Sequence, residues 1–157
     1  MRRPPRPPEE TGDPKARAIK LLARREHSAR ELKRKLEARG IGETEAAEAV
    51  AELGREGWQS DVRYAEMLAR SRISQGYGPV RIEAELRMAG VPAAEIGKAL
   101  DESGADWRAL AAEVHAKRFG ALPKSSAERA KQYRFLQGRG FDGAQIQAVL
   151  RGDSFDD

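Results

Sequence analysis

The sequence predicts an all-α protein: a tandem array of three three-helix repeats, about nine helices in an elongated, curved row. Three observations predict it. From Pro14 to Leu150 apolar residues recur three and four positions apart, not two apart. The same stretch is rich in Ala, Leu, Glu, Arg and Lys and poor in β-branched residues, which favours helix. The chain also repeats itself. Leu36, Leu86 and Leu136 stand fifty apart, as do Gly40, Gly90 and Gly140, then Ile41, Val91 and Phe141. The register continues through Glu45, Glu95 and Gln145, through Ala46, Ile96 and Ile146, and through Val50, Leu100 and Leu150.

The elements follow in order. Residues 1–13, with Pro4, Pro5, Pro7, Pro8 and Gly12, can neither sustain a helix nor bury apolar surface, so a disordered arm is expected there. Unit one is read over 14–57, unit two over 58–104 and unit three over 105–151, with an acidic tail at 152–157. The first helix of each unit shows its apolar face as Ala18 and Leu22, Tyr64 and Leu68, or Leu110 and Val114, in columns 46 apart. Ser60 or Asp61 caps the first helix of unit two. Second helices start at Ser28 with Glu31 and Ser125 with Glu128, read as capping boxes, and at Gly78–Pro79 in unit two. Each ends where the repeated leucine closes its buried face and the glycine four residues on takes the left-handed conformation. In the third helices, Glu45, Glu95 and Gln145 are placed to reach back to free backbone donors. Asp142 forms a capping box with Gln145, and Pro92 suits a first helical turn. A unit of under fifty residues buries too little alone, so the units are expected to share faces, with Trp58, Trp107 and Phe119 as packing residues between them.

Composition then excludes several classes of function. The 157 residues include 29 Lys and Arg, 25 Asp and Glu, and no cysteine. Disulfide scaffolds, thiolate zinc sites and cysteine nucleophiles are therefore out. No stretch approaches the ~18 uninterrupted apolar residues of a membrane span, and Met1–Pro8 lacks the apolar core of a secretory signal. A cytoplasmic protein without membrane contact is expected. Gly76–Tyr77–Gly78 resembles the start of a dinucleotide loop, but Arg81 stands where the third glycine belongs and no strand precedes it. His27 and His115 lie far apart with no metal-binding spacing. With no base–nucleophile–orienter set, neither catalysis nor a cofactor is expected.

Charge is concentrated. Between residues 17 and 39 nine basic residues face three acidic ones, although the whole chain is only +4. Arg17, Lys20 and Arg24 fall on one face of the first helix, and Arg30, Lys33 and Arg34 share a face of the second, opposite Leu32 and Leu36. Arg81, Lys131 and Arg134 repeat the theme on later second helices, as a broken stripe suited to phosphates or to an acidic protein surface. Aromatic residues make up only 6% of the chain, which suits backbone contact better than base stacking.

Two motifs then carry a likeness. The run Leu21-Leu22-Ala23-Arg24-Arg25-Glu26-His27-Ser28-Ala29-Arg30-Glu31-Leu32, followed by Lys35-Leu36 and Gly40, resembles the opening motif of the RecX family of recombination regulators. Gly57-Trp58, Asp61, Arg63-Tyr64-Ala65, Gly76, Gly78-Pro79, Arg81-Ile82, Glu85-Leu86-Arg87 and Gly90-Val91 match the family's second motif. The likeness spans residues 15–151. Gln59-Ser60 departs from the usual pair, and unit three is the most divergent, with Ala121-Leu122-Pro123-Lys124 lengthening a loop and Gln132 replacing the apolar Leu32 and Ile82. A capped repeat with polar ends suits a monomer, and the resemblance implies a negative modulator of RecA. Its partner would be the RecA nucleoprotein filament, in whose groove it would restrain filament growth, ATP hydrolysis and strand exchange. Direct contact with single- or double-stranded DNA is compatible with this. Arg24, Arg25, Arg30, Lys33, Arg34 and Arg81 are the candidates for DNA phosphate or acidic RecA surface. The rivals are a direct DNA-binding helical module and a scaffold for another protein partner.

Overall fold

The computed structural model describes residues 12–152, and every regular element among them is a helix. Unit one holds α1 (Pro14–Arg24), α2 (Ala29–Ala38) and α3 (Glu43–Arg55). Unit two holds α4 (Asp61–Ser74), α5 (Pro79–Met88) and α6 (Ala93–Glu102), and unit three α7 (Trp107–Phe119), α8 (Ser126–Gly138) and α9 (Gly143–Leu150). The expected arm and acidic tail lie outside the described residues, apart from Gly12, Asp13 and Gly152 at their edges.

Capping is less uniform than the repeat suggests. Only Asp142 and Gln145 exchange both bonds of a capping box, at 2.8 and 2.9 Å, among the described residues. Ser28 and Ser125 make half of one, each hydroxyl accepting from the Glu31 or Glu128 backbone N–H at 3.1 Å. The return half is missing because both carboxylates are engaged elsewhere. Glu31 takes Arg25, and Glu128 accepts from the Lys124 backbone N–H at 2.7 Å. Pro92 is the N-cap of α6, not part of its first turn, and having no N–H it leaves Glu95 nothing to accept. Ser60, not Asp61, caps α4.

The ends of the second helices obey the repeat strictly. At the end of α8 the Gly140 N–H reaches Gln137 O at 3.0 Å and the Phe141 N–H reaches Leu136 O at 3.2 Å, with Gly140 at φ 95°. The same bond pair closes α2 at Gly40–Ile41 and α5 at Gly90–Val91. This geometry sends Ile41, Val91 and Phe141 back into the core of their own unit.

Each unit encloses its own core. Leu32, Leu36, Ala46 and Leu53 centre unit one; Ala65, Ile82 and Leu86 centre unit two; Ala111, Leu136 and Ile146 centre unit three. The expected shared faces are therefore largely replaced by contacts at helix ends, and Trp107 of unit three packs on the core of unit two. Trp58 instead stays 52% exposed, and Phe119 packs on His115 and Phe135 inside its own unit.

At the junction of units one and two, Asp61 Oδ1 accepts from the Ala29 backbone N–H at 2.9 Å and from Gln59 Nε2 at 3.0 Å. Arg63 Nε meets Glu26 at 2.9 Å. At the junction of units two and three, the Gly78 and Val80 N–H groups donate to the Arg139 and Gly140 carbonyls, each at 2.9 Å. The donor-rich start of α5 thus meets the acceptor-rich end of α8, an alignment that satisfies both termini and both helix dipoles.

Glycine at position 78 is dictated by that approach, since an added Cβ would lie 2.5 Å from the Gly140 carbonyl carbon and 2.7 Å from the Phe141 nitrogen. We therefore expect Gly78→Ala to cost about 1–3 kcal/mol in denaturant unfolding and to speed hydrogen exchange at the Val80 amide. Gly97 lies inside α6 with nothing within 4 Å of an added Cβ. There the same substitution should stabilise by about 0.5–1 kcal/mol. Equal effects at the two glycines would contradict the close backbone approach.

Candidate interaction surface

The basic face of α1 forms as its spacing requires. Arg17, Lys20 and Arg24 line a cleft of about 320 Å³ against Leu21 and Leu36, with Arg39 closing it from the end of α2. Arg39 comes from the next helix, so no periodicity along α1 could have pointed to it. Asp13 is the one carboxylate among the described residues lining the cleft, while Lys15 turns away to Glu52 and Glu56 and ties α1 to α3.

The six candidate cations differ in their partners. Arg24 and Arg34 are exposed and have no carboxylate partner among the described residues. Arg25 pairs with Glu31 and donates to Glu26 O at 2.9 Å. Lys33 stands 3.5 Å from Glu37 and 3.4 Å from Glu43. Arg30 reaches into unit two, its Nη1 3.4 Å from Met88 O and its side chain lying over Gly90. Arg81 does the same one unit later, with its Cβ over Gly140 and its guanidinium 3.9 Å from the Tyr77 ring centroid. Pairing of the exposed kind contributes little stability, about 0–1 kcal/mol, so it leaves Arg25 and Lys33 able to exchange partners.

Behind this surface lies a buried histidine. His27 Nδ1 sits 2.9 Å from Arg25 O and Nε2 sits 3.0 Å from Lys35 Nζ. A neutral ring protonated on Nδ1 satisfies both contacts, donating to the carbonyl and accepting from the ammonium. Burial pushes its pKa below 6.5, and the Arg25 and Lys35 charges add to this against the opposing Arg25 carbonyl and Glu31. Burial pushes Glu31 up, but the Arg25 hydrogen bond and the charges of Arg25, His27 and Lys35 prevail and hold it below the ordinary carboxylate value. From unit two, Gln59 Nε2 donates to His27 O at 3.3 Å, so the departure at Gln59 is a junction contact.

Unit three explains its own departure. Gln132, in place of Leu32 and Ile82, is buried and its Oε1 lies 2.7 Å from His115 Nε2. Its amide also donates to Ala121 O at 3.4 Å, holding the lengthened loop to the core. Two buried polar groups thereby satisfy each other.

Models of the first, second and third three-helix domains of RecX match residues 15–53, 60–100 and 106–150. The chain is 46% identical over 152 residues to regulatory protein RecX of Stenotrophomonas maltophilia, covering 96% of this chain and 92% of that protein. It is 46% identical over 142 residues to regulatory protein RecX of Xanthomonas campestris pv. campestris, covering 89% and 87%. The crystal structure of RecX from Lactobacillus salivarius superposes with a TM-score of 0.72 at 21% identity, over 92% of this chain and 96% of that one. No helix among the described residues is long and apolar enough to cross a membrane.

The network around His27 sets an acid sensitivity for this surface. Its pKa is lowered in the fold, so as pH drops through 6.5 the unfolded chain binds more protons and stability falls. We expect the denaturant midpoint to decline between about pH 7 and pH 5. The His27→Gln variant should flatten that decline, whatever its effect on the neutral plateau. An unchanged slope in the variant would assign the acid sensitivity to other groups.

Proposed function

The chain belongs to the RecX family, and on that premise we propose that it is a negative regulator of RecA that works by binding and not by catalysis. In this reading a single chain lies in the groove of the RecA–DNA filament in the bacterial cytoplasm. There it restrains filament growth, ATP hydrolysis and strand exchange. The observation that supports a polyanionic or acidic target most directly is the basic side of unit one, where Arg24 and Arg34 are exposed without carboxylate partners among the described residues. Arg25 and Lys33 contribute by exchanging their weak surface pairs for a partner's anions. Arg30 keeps Nη1 on Met88 O and Arg81 keeps its Cβ on Gly140, and each offers the remaining guanidinium N–H groups.

The test is titration of the chain into a RecA reaction on single-stranded DNA, following ATP hydrolysis, with naked-DNA binding measured at the same salt. Inhibition should appear well below the concentrations that coat naked DNA. Arg24→Glu/Arg34→Glu should raise the half-inhibiting concentration by roughly tenfold or more with helicity unchanged. Wild-type inhibition that appears only where DNA is already coated would replace the regulator reading by a direct DNA-binding module. No inhibition and no DNA binding would leave a scaffold for another protein, and full inhibition by the double variant would remove these two residues from the site.

A further inference from the structure

A second cleft, of about 490 Å³, opens where unit two meets unit three. The end of α4 forms one wall, and α7 with α8 forms the other. Ile73, Val114 and Phe135 make an apolar floor, while Lys117, Arg118 and Arg139 stand around it with Glu113, the one acid among the described lining residues, paired to Lys117. The walls are closely set, because a Cβ added at Gly76 of α4's end would come 3.0 Å from Val114.

The two arginines are held in place and are not neutralised. Arg118 lies 5.5 Å from the ring centroids of both Phe119 and Phe135. Arg139 lies 4.8 Å from Tyr77 and 5.6 Å from Phe135, and its Nη1 donates to Gln75 O at 3.3 Å. Neither has a carboxylate partner among the described residues, whereas Lys117 is 3.3 Å from Glu113. Stacking on rings fixes a guanidinium plane and leaves its N–H edges for an anion.

We propose that this cleft docks an acidic peptide segment of a protein partner, with an apolar or aromatic side chain seated on the floor and flanking carboxylates on Arg118 and Arg139. The floor selects the class of ligand. A sugar–phosphate backbone has nothing to bury there, and the rings of Tyr77 and Phe135 that would stack a base already carry guanidinium groups. An apolar anchor ringed by charge-assisted hydrogen bonds is how small peptide pockets gain both affinity and register. The occupant touches both walls, so it also bridges units two and three.

The experiment uses the full chain without RecA or DNA, so its outcome is separate from that of the filament reading. A fluorescein-labelled peptide, one phenylalanine flanked on both sides by aspartates, is titrated at low salt and followed by anisotropy. Arg118→Glu, a residue whose ring contacts lie within unit three, should weaken binding by about tenfold. Ser74→Trp fills the cleft from its exposed lip without changing charge and should weaken it comparably. Arg108→Glu, exposed on α7 but outside the cleft, should change it by less than about twofold. Replacing the peptide's phenylalanine by serine should also weaken binding. Failure of the phenylalanine peptide to bind, equal losses from Arg108→Glu and Arg118→Glu, indifference to Ser74→Trp, or displacement by a short oligothymidylate at lower concentration would each overturn the proposal.

Discussion

The end of each second helix serves two purposes with the same few atoms, and the arrangement of the array depends on it. The terminal glycine turns the chain in the left-handed region, which returns Ile41, Val91 and Phe141 to the core of their own unit. At Gly90 and Gly140 the bare backbone is also the seat for the preceding unit, under Arg30 and Arg81 respectively. A side chain at either glycine would meet both a strained φ and an arginine stem. The start of α5 then finds the carbonyl acceptors it lacks in Arg139 and Gly140, while the start of α2 is met by Asp61 and reaches Met88 through Arg30.

Such a design separates what holds a unit together from what orients it. Fully burying a leucine such as Leu32, Leu86 or Leu136 contributes about 1.5–3 kcal/mol, and each unit has several comparable residues. A junction hydrogen bond nets only about 0.5–1.5 kcal/mol. Units therefore owe their existence to their cores and their relative placement to a handful of polar contacts. The two junctions also differ in kind. Between units one and two the carboxylates of Asp61 and Glu26 take part, beside Gln59 on His27 O and Arg30 on Met88 O, and the exposed Arg63–Glu26 pair is open to salt screening. Between units two and three they are backbone bonds, arginine on tyrosine, and Trp107 against the neighbouring core, none of which depends on a carboxylate.

This division also explains what the sequence could disclose. Columns fifty apart made the helix pattern, the glycine ends and the apolar returns legible, because each is a local requirement restated in every unit. Contacts between units carry no such signature: Arg30 over Gly90 and Arg81 over Gly140 join residues 60 and 59 apart, and although both glycines belong to the repeat, nothing in it pairs them with those arginines. Trp58 looked like a packing residue by its position and is half exposed, because the junction it borders is built from Gln59, Asp61 and Arg63 instead. Capping boxes were half legible for a related reason. A serine and a glutamate at the right spacing specify one bond, but the second is lost wherever the glutamate has a stronger local partner, as Glu31 has in Arg25. In the same way the basic block was legible as a count and the pairing of its members was not.

Pairing, more than count, decides which cations face outward. In unit two Arg63, Arg72, Arg81 and Arg87 each stand against a carboxylate, the Arg72 guanidinium through both oxygens of Glu85. Among the described residues, cations without one occur in every unit, Arg70 and Lys98 of unit two included; those at the two proposed contact surfaces form two sets, Arg24 and Arg34 in unit one and Arg118 and Arg139 in unit three. A partner that engages both sets must follow the array across both junctions. Its fit then depends on the angles those junctions set, so a substitution at Gly78 or Asp61 alters recognition without touching a contact residue. Net charge conceals this, since +4 over the whole chain does not tell which cations are held by a carboxylate and which are left to meet a partner's anions.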